Sequence, residues 1–392
     1  MKKIYISIWL MLISAIGFSQ WTALTSGTTN WLNSVYFPNA NTGYTVGWLG
    51  TILKTSDGGT IWTKQTSGTT KNLNSVYFTD ANTGYTVGDG GTIIKTSDGG
   101  TTWITQASGT TVNLKSVYFT SASAGCAVGS GQHTFKTSDG GTTWTAVSVA
   151  AVVINSVYFT STNKGYGVGD NGNIYKTNDG GTTWTFTYNG VTTAELFSIN
   201  FPDANTGYSV GAGGTIIKTN DGGTTWAALN SGTTFNDLNS VYFIDANIGY
   251  AIGTWGFITK TSDGGTTWIT QNSGTLDALS SVYFTDANTG YAVGNGGDIL
   301  KTGGSSSVEE NDLSDPEINI YPNPANDNIV IKNSSLNKCA LILIYNVQGQ
   351  LIHQQILKQE ITVIDIGSYS KGVYMLKFNN NIKTDWKKIV KE

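Results

Sequence analysis

Arginine is absent: all 22 basic residues of this 392-residue chain are lysine. Without a guanidinium fork the chain has no bidentate clamp for a carboxylate or phosphate. A net charge of −4 supplies no basic footprint for nucleic acid. Charged residues are scarce altogether, at 12% against roughly 25% in an average protein. Two histidines, His133 and His353, and two cysteines, Cys126 and Cys339, leave little for nucleophilic chemistry. CxxC, HExxH and EF-hand spacings are missing, so neither a metal nor a cofactor is expected. The cysteines fall in different parts of the chain, which argues against a disulfide framework. No apolar run reaches the ~20 residues that cross a bilayer. The longest, from Ile4 to about Phe18, follows Lys2 and Lys3 and reads as a secretory signal over residues 1–20, leaving no transmembrane segment in the mature chain.

What the chain has in excess is glycine, 49 residues, and aromatic rings, 11%. Turns punctuating buried aromatic strands describe an all-β protein and not a disordered one. The strands repeat. S-V-Y-F begins at Ser34, Ser75, Ser116, Ser156, Ser240 and Ser281, with S-I-N-F at Ser198, at spacings of 41, 41, 40, 42, 42 and 41 residues. A period near 40 points to a propeller or solenoid. Each copy holds four short runs, as in LNSVYF, GYTVG, TIIKTS and WITQASG, and four strands per repeat make a propeller blade. The seventh copy stops at Thr302 without a fourth run, whereas Trp21–Gly27 (W-T-A-L-T-S-G) matches the segment that opens at Trp62. The spacing therefore predicts a seven-bladed propeller over residues 21–302, closed by an N-terminal strand that completes the last blade and limits exposed edges.

The third and fourth runs are joined by T-S-D-G-G-T-T-W or a close variant, ending at Trp62, Trp103, Trp144, Trp184, Trp226 and Trp268. This string resembles the Asp-box of sialidase-type propellers. Its repetition in phase assigns Asp57, Asp98, Asp139, Asp179, Asp221 and Asp263 a structural role, accepting turn N–H groups. Sialidases hold their substrate carboxylate with three arginines, so this chain is not one. V-Y-F, G-Y-x-V-G, G-T-I-x-K-T and D-G-G-T-T-W together resemble the photosystem II assembly-factor family of seven-bladed propellers, which implies fold more than role.

After Thr302 the text turns small, polar and acidic over residues 303–316, as linkers are. Residues 317–392 then alternate β-branched runs with Asn-Pro and Gln-Gly turns, the pattern of a small Ig-like antiparallel β-sandwich. Y-P-N-P (321–324), Y-N-V-Q-G-Q-L-I (345–352), G-V-Y-M-L-K-F (372–378) and the basic strand at 387–391 resemble the type A C-terminal sorting domain of type IX secretion. That resemblance implies recognition by the type IX machinery and a product secreted or held at the outer-membrane cell surface.

Chemistry is thin elsewhere. His133 is the propeller's only histidine, which leaves a Ser-His-Asp hydrolase without support. A glycosidase needs two carboxyl groups ~5 to 9.5 Å apart. Asp80, Asp203, Asp245 and Asp286 recur at one turn and read as structural; Asp89, Asp170, Glu195, Asp237, Asp277 and Asp298 break the repeat. Turns after the second and fourth strands of each blade share one face, and this face varies most. It carries Trp48, Asp89, His133, Asp170 and Trp255 in the second-to-third-strand turns, and Trp31, Glu195, Phe235 and Asp237 in the blade-to-blade connections. Residues that depart from the repeat in exposed loops are candidates for binding an extracellular glycan or protein. The expectation is a non-enzymatic binding or adhesion propeller. A polysaccharide hydrolase and an assembly factor for an exported complex are the alternatives.

Overall fold

The computed structural model describes residues 21–149, 153–188, 190–302, 318–333, 340–346, 351–357, 359, 361–379 and 384–392. The expected signal segment, 1–20, and the expected linker, 303–316, lie outside the described residues. The chain divides into two compact units, Met1–Ser305 and Ser306–Glu392.

In the first unit, seven antiparallel four-stranded sheets follow one another as the blades of a propeller. The first blade consists of Leu32–Tyr36, Gly43–Gly47, Ile52–Thr55 and Thr63–Gln65. The last blade takes its outer strand from the start of the chain. Thr22, Ala23 and Leu24 pair with Lys301, Leu300 and Ile299, so Thr22–Leu24 completes the sheet built from Leu279–Phe284, Gly290–Gly294 and Ile299–Thr302. Trp21 anchors this strand: it is buried, stands edge-on to Tyr250 and Phe284, and donates its indole hydrogen to Gln271 Oε1 at 3.0 Å.

Repetition in the sequence becomes a belt of identical bonds in the fold. Each S-V-Y-F serine accepts the backbone N–H of the next blade's inner strand: Val76 donates to Ser34, Val117 to Ser75, and Val157 to Ser116. Ile199, Val241 and Val282 continue the series, and Val35 donates to Ser281 to close the ring. An edge N–H that would otherwise be unpaired is thus satisfied in every blade. The tyrosine two residues on forms a second belt. Tyr36, Tyr77 and Tyr118 ring centroids succeed one another at 4.9–5.1 Å, with Asn200 in the fifth blade donating no ring but accepting from Phe243 N. Burial raises the phenols, Tyr77 and Tyr242 to about 12.

Blades are glued by the D-G-G-T-T-W turns. Asp98 shows the pattern: Oδ1 accepts Thr96 Oγ1 and Thr102 N, and Oδ2 accepts Thr102 Oγ1. The turn is fixed this way, and Trp103 swings against Phe78 of its own blade and Tyr44 of the preceding one, each edge-on near 6 Å.

The second unit is a sandwich. One sheet joins Ile318–Tyr321, Asn328–Asn333 and Ile361–Asp365; the other joins Leu351–Leu357, Ala340–Asn346, Gly372–Asn379 and Thr384–Lys391. Their shared core contains Ile329, Ile331 and Ile364 from the first, and Ile342, Ile344, Leu376 and Ile389 from the second. The Y-P-N-P segment clamps the terminal basic strand. Asn323 donates to Lys388 O at 2.7 Å and accepts from Val390 N at 2.9 Å.

Candidate functional site

Turns after the second and fourth strands do meet on one face. Trp48 N donates to Trp31 O, Asp89 N to Asn72 O, Ala212 N to Glu195 O and Thr254 N to Asp237 O. In six blades the second-to-third-strand turn is a single 3-10 turn whose middle residue adopts left-handed backbone. Gly90, Gly213 and Gly296 suit that conformation and Asn171 (φ 57°) tolerates it; Leu49 (φ 53°) and Trp255 (φ 57°) do not.

Trp31 and Trp48 come together, with ring centroids 4.1 Å apart and both indoles partly open to solvent. Beside them lies an open groove of about 750 Å³ lined by Leu49, Gly50 and the connection from Lys64 to Lys71. Trp255 stands instead on the sixth blade, 72% exposed, in a turn joined to the connection that carries Phe235, which is 93% exposed. Leu276 (79% exposed) follows Thr275, whose carbonyl closes over Gly256 of that same turn. Leu49 and Leu276 were not among the sequence candidates. Both break the repeat, Leu49 standing where Gly90 and Gly213 do and Leu276 where Thr70 and Thr111 do.

The carboxylates are mostly engaged. Asp89 accepts both Asn72 Nδ2 and Asn74 Nδ2 at 3.0 Å. Glu195 accepts Asn155 Nδ2, and Asp237 accepts Gly213 N from the preceding blade. Asp80, Asp203, Asp245 and Asp286 each cap their own turn through two backbone N–H groups. Asp170 opens the 3-10 turn of the fourth blade. Asp277 leans over Gly296, while Asp298 Oδ2 is buried with no partner among the described residues. His133, expected in a turn, opens the strand His133–Thr137 and pairs with Ser148. The third blade has a Ser130–Val153 bridge where the others have the 3-10 turn.

On the opposite side, hydrogen bonds hold the repeated turn carboxylates ionised. Thr102 and Thr143 keep Asp98 and Asp139 at about 2, and Thr267 does the same for Asp263. These groups are spent on folding the turn.

The fold and its tail define an exported β-propeller carrying its own sorting domain: residues 319–392 match the secretion system C-terminal sorting domain, so the chain is a type IX secretion cargo. Residues 13–106, 66–153 and 187–270, together more than half of the chain, match the photosynthesis system II assembly factor YCF48 family, and the chain belongs to that family. Among solved structures it is similar to YCF48 bound to D1 peptide (20% identity, TM-score 0.65, covering 76% of this chain and 100% of that one). It is also similar to YCF48 from Cyanidioschyzon merolae (20%, 0.62, 73% and 99%) and to the WD40 beta propeller domain of Doa1 (14%, 0.59, 74% and 98%). At these identities the likeness establishes the fold. No curated protein matches the sequence significantly.

Proposed function

We propose that this exported propeller is a non-catalytic recognition module that holds a glycan or a polypeptide through its loop face. One observation carries the reading. Leu49 and Trp255 occupy left-handed backbone where sister blades use glycine, at a cost of about 1–2 kcal/mol each, and both side chains are exposed, so burial does not offset it. Strain without compensating packing is a mark of a site kept for contact with something else. The neighbouring Trp31–Trp48 pair supplies flat apolar surface of the kind that stacks on sugar rings or anchors a partner chain.

Asp89, Glu195 and Asp237 each hold a neighbouring segment by hydrogen bonds, a bracing role that supports the binding reading over a two-carboxylate hydrolase. A related propeller described as bound to a peptide favours the polypeptide among the two ligand classes. Glycan-array and envelope-extract capture with the intact chain, compared with Trp48→Ala and Trp255→Ala, tests the reading. Capture lost in either variant with folding intact supports it. Turnover of a polysaccharide abolished by a single carboxylate substitution would replace it with the hydrolase.

A further inference from the structure

Six blades carry a tyrosine in the second strand, and the third carries Cys126. Each of the six rings, Tyr44, Tyr85, Tyr166, Tyr208, Tyr250 and Tyr291, stacks on the inner-strand phenylalanine of the next blade at 3.5–4.3 Å between centroids. Five of them donate the phenol hydrogen to a glycine carbonyl in the next blade's D-G-G turn at 2.7–2.9 Å. Tyr250 meets no such acceptor among the described residues, where the last blade receives its outer strand from the N-terminus. At Cys126 the phenol is missing while everything built to receive it remains. Phe159 lies with one face on Gly165, as its sister Phe78 lies on Gly84, but has no ring stacked on the other face. No donor reaches the Gly180 carbonyl among the described residues. Lys136, whose counterparts Lys54 and Lys95 share the glycine carbonyl, turns to Thr182 Oγ1 at 2.6 Å instead.

A cavity of about 250 Å³ occupies this place, bounded by Cys126, Phe159, Gly180 and Lys136, with Ser121 and Asn163 at its exposed mouth. The lining is mixed, with Thr120, Ser138, Thr162 and Asp179 beside the Phe159 ring and the Cys126 thiol, and the volume exceeds the roughly 150 Å³ that admits benzene in an apolar cavity. We propose that this cavity between the third and fourth blades binds a small unsubstituted phenol, its ring stacked on Phe159 and its hydroxyl donating to the Gly180 carbonyl. The ring edge opposite the hydroxyl meets Cys126, whose own Cβ holds the place of the tyrosine Cβ in the other blades, so a para substituent has no room. Burial pushes the Cys126 thiol up to about 12, so it stays protonated and the site is a non-covalent one. A tyrosine side chain of another polypeptide would enter through the mouth hydroxyl first. That orientation puts its oxygen against the thiol and forfeits the carbonyl, so the ligand is a free small molecule.

The test is titration calorimetry on the full chain with phenol, benzene, p-cresol and N-acetyltyrosinamide, beside Cys126→Tyr and Cys126→Phe. Saturable 1:1 binding of phenol is expected, about tenfold tighter than benzene, the worth of one hydrogen bond. Both variants, which fill the cavity from within, should abolish it. Phenol should also raise the Tm of the unaltered chain more than benzene does at equal concentration, a reading that needs no variant to fold. Absence of saturable binding, binding that survives in a folded Cys126→Tyr, or tighter binding of p-cresol or N-acetyltyrosinamide than of phenol would overturn the proposal.

Discussion

Tyr44 of the first blade donates its hydroxyl hydrogen to the Gly99 carbonyl in the turn of the second, at 2.7 Å, and Lys54 Nζ reaches the same oxygen at 2.6 Å. One carbonyl therefore ties two strands of one blade to the hairpin of the next. The same pair recurs at Tyr85 and Lys95 on Gly140. Tyr85→Phe removes one of two donors and keeps the ring on Phe119, so it should cost about 1 kcal/mol. Tyr85→Ala also empties a buried ring site and should cost about 3–5 kcal/mol. Guanidinium titrations of both variants check the difference; equal losses would mean that the hydroxyl, not the ring, does most of the tethering.

Trp103 fills the same seam from the other side, buried against Phe78 and Tyr44. Trp103→Ala should destabilise the propeller by about 3–5 kcal/mol. A midpoint shift worth less than 1 kcal/mol in denaturant would contradict that packing role.

The turn carboxylates give the propeller an acid limit. Asp98, Asp139 and Asp263 are held at about 2 in the folded state against an ordinary value of 3.8. Between those values the unfolded chain binds more protons than the folded one, so stability present above pH ~4 is lost as pH falls toward 2. Circular dichroism melts from pH 5 to pH 2 should show Tm falling most steeply in that window. Asp98→Asn, which removes one titrating group, should flatten the fall slightly.

Much of this was legible before any coordinates. The match of W-T-A-L-T-S-G to the segment after each D-G-G-T-T-W turn states in text what the pairing of Thr22 with Lys301 shows in space. Repeats are readable because every blade solves the same packing problem with the same residues. Departures from the repeat were harder. Asp89 looked free because its partners, Asn72 and Asn74, lie 17 and 15 residues away on another loop and strand. Glu195 is paired with Asn155 of the preceding blade, 40 residues earlier. A single irregular residue can be seen in a sequence, but two that compensate each other need the fold. Cys126 was counted as a thiol, although its consequence is the volume left by a missing ring.

Closure depends on a short strand. Removing residues 21–24 would expose the edge of Ile299–Thr302 and uncover the core around Tyr250 and Phe284 that Trp21 now seals. An unpaired, apolar edge recruits other chains. Size-exclusion chromatography with light scattering should find the truncated chain aggregated where the intact one is discrete; a well-behaved monomer with an unchanged Tm would mean the six complete blades hold the ring without it.

Strain and exposure at the loop face make opposite demands on stability and binding, which separates a functional from an incidental origin. Trp255→Gly releases a left-handed side chain and removes an exposed indole, so by backbone conformation alone it should stabilise the propeller by about 1 kcal/mol, the lower end of what an L-residue pays there. Loss of chain entropy from the new glycine offsets part of that gain. Leu49→Gly is the matching substitution beside the Trp31–Trp48 pair. If these side chains are held for contact, both variants will keep or raise Tm while weakening capture of the bound partner. A loss of stability beyond about 1 kcal/mol in either would instead mean that the side chain packs on its neighbours in solution, and that the strain is offset within the fold rather than kept for a ligand.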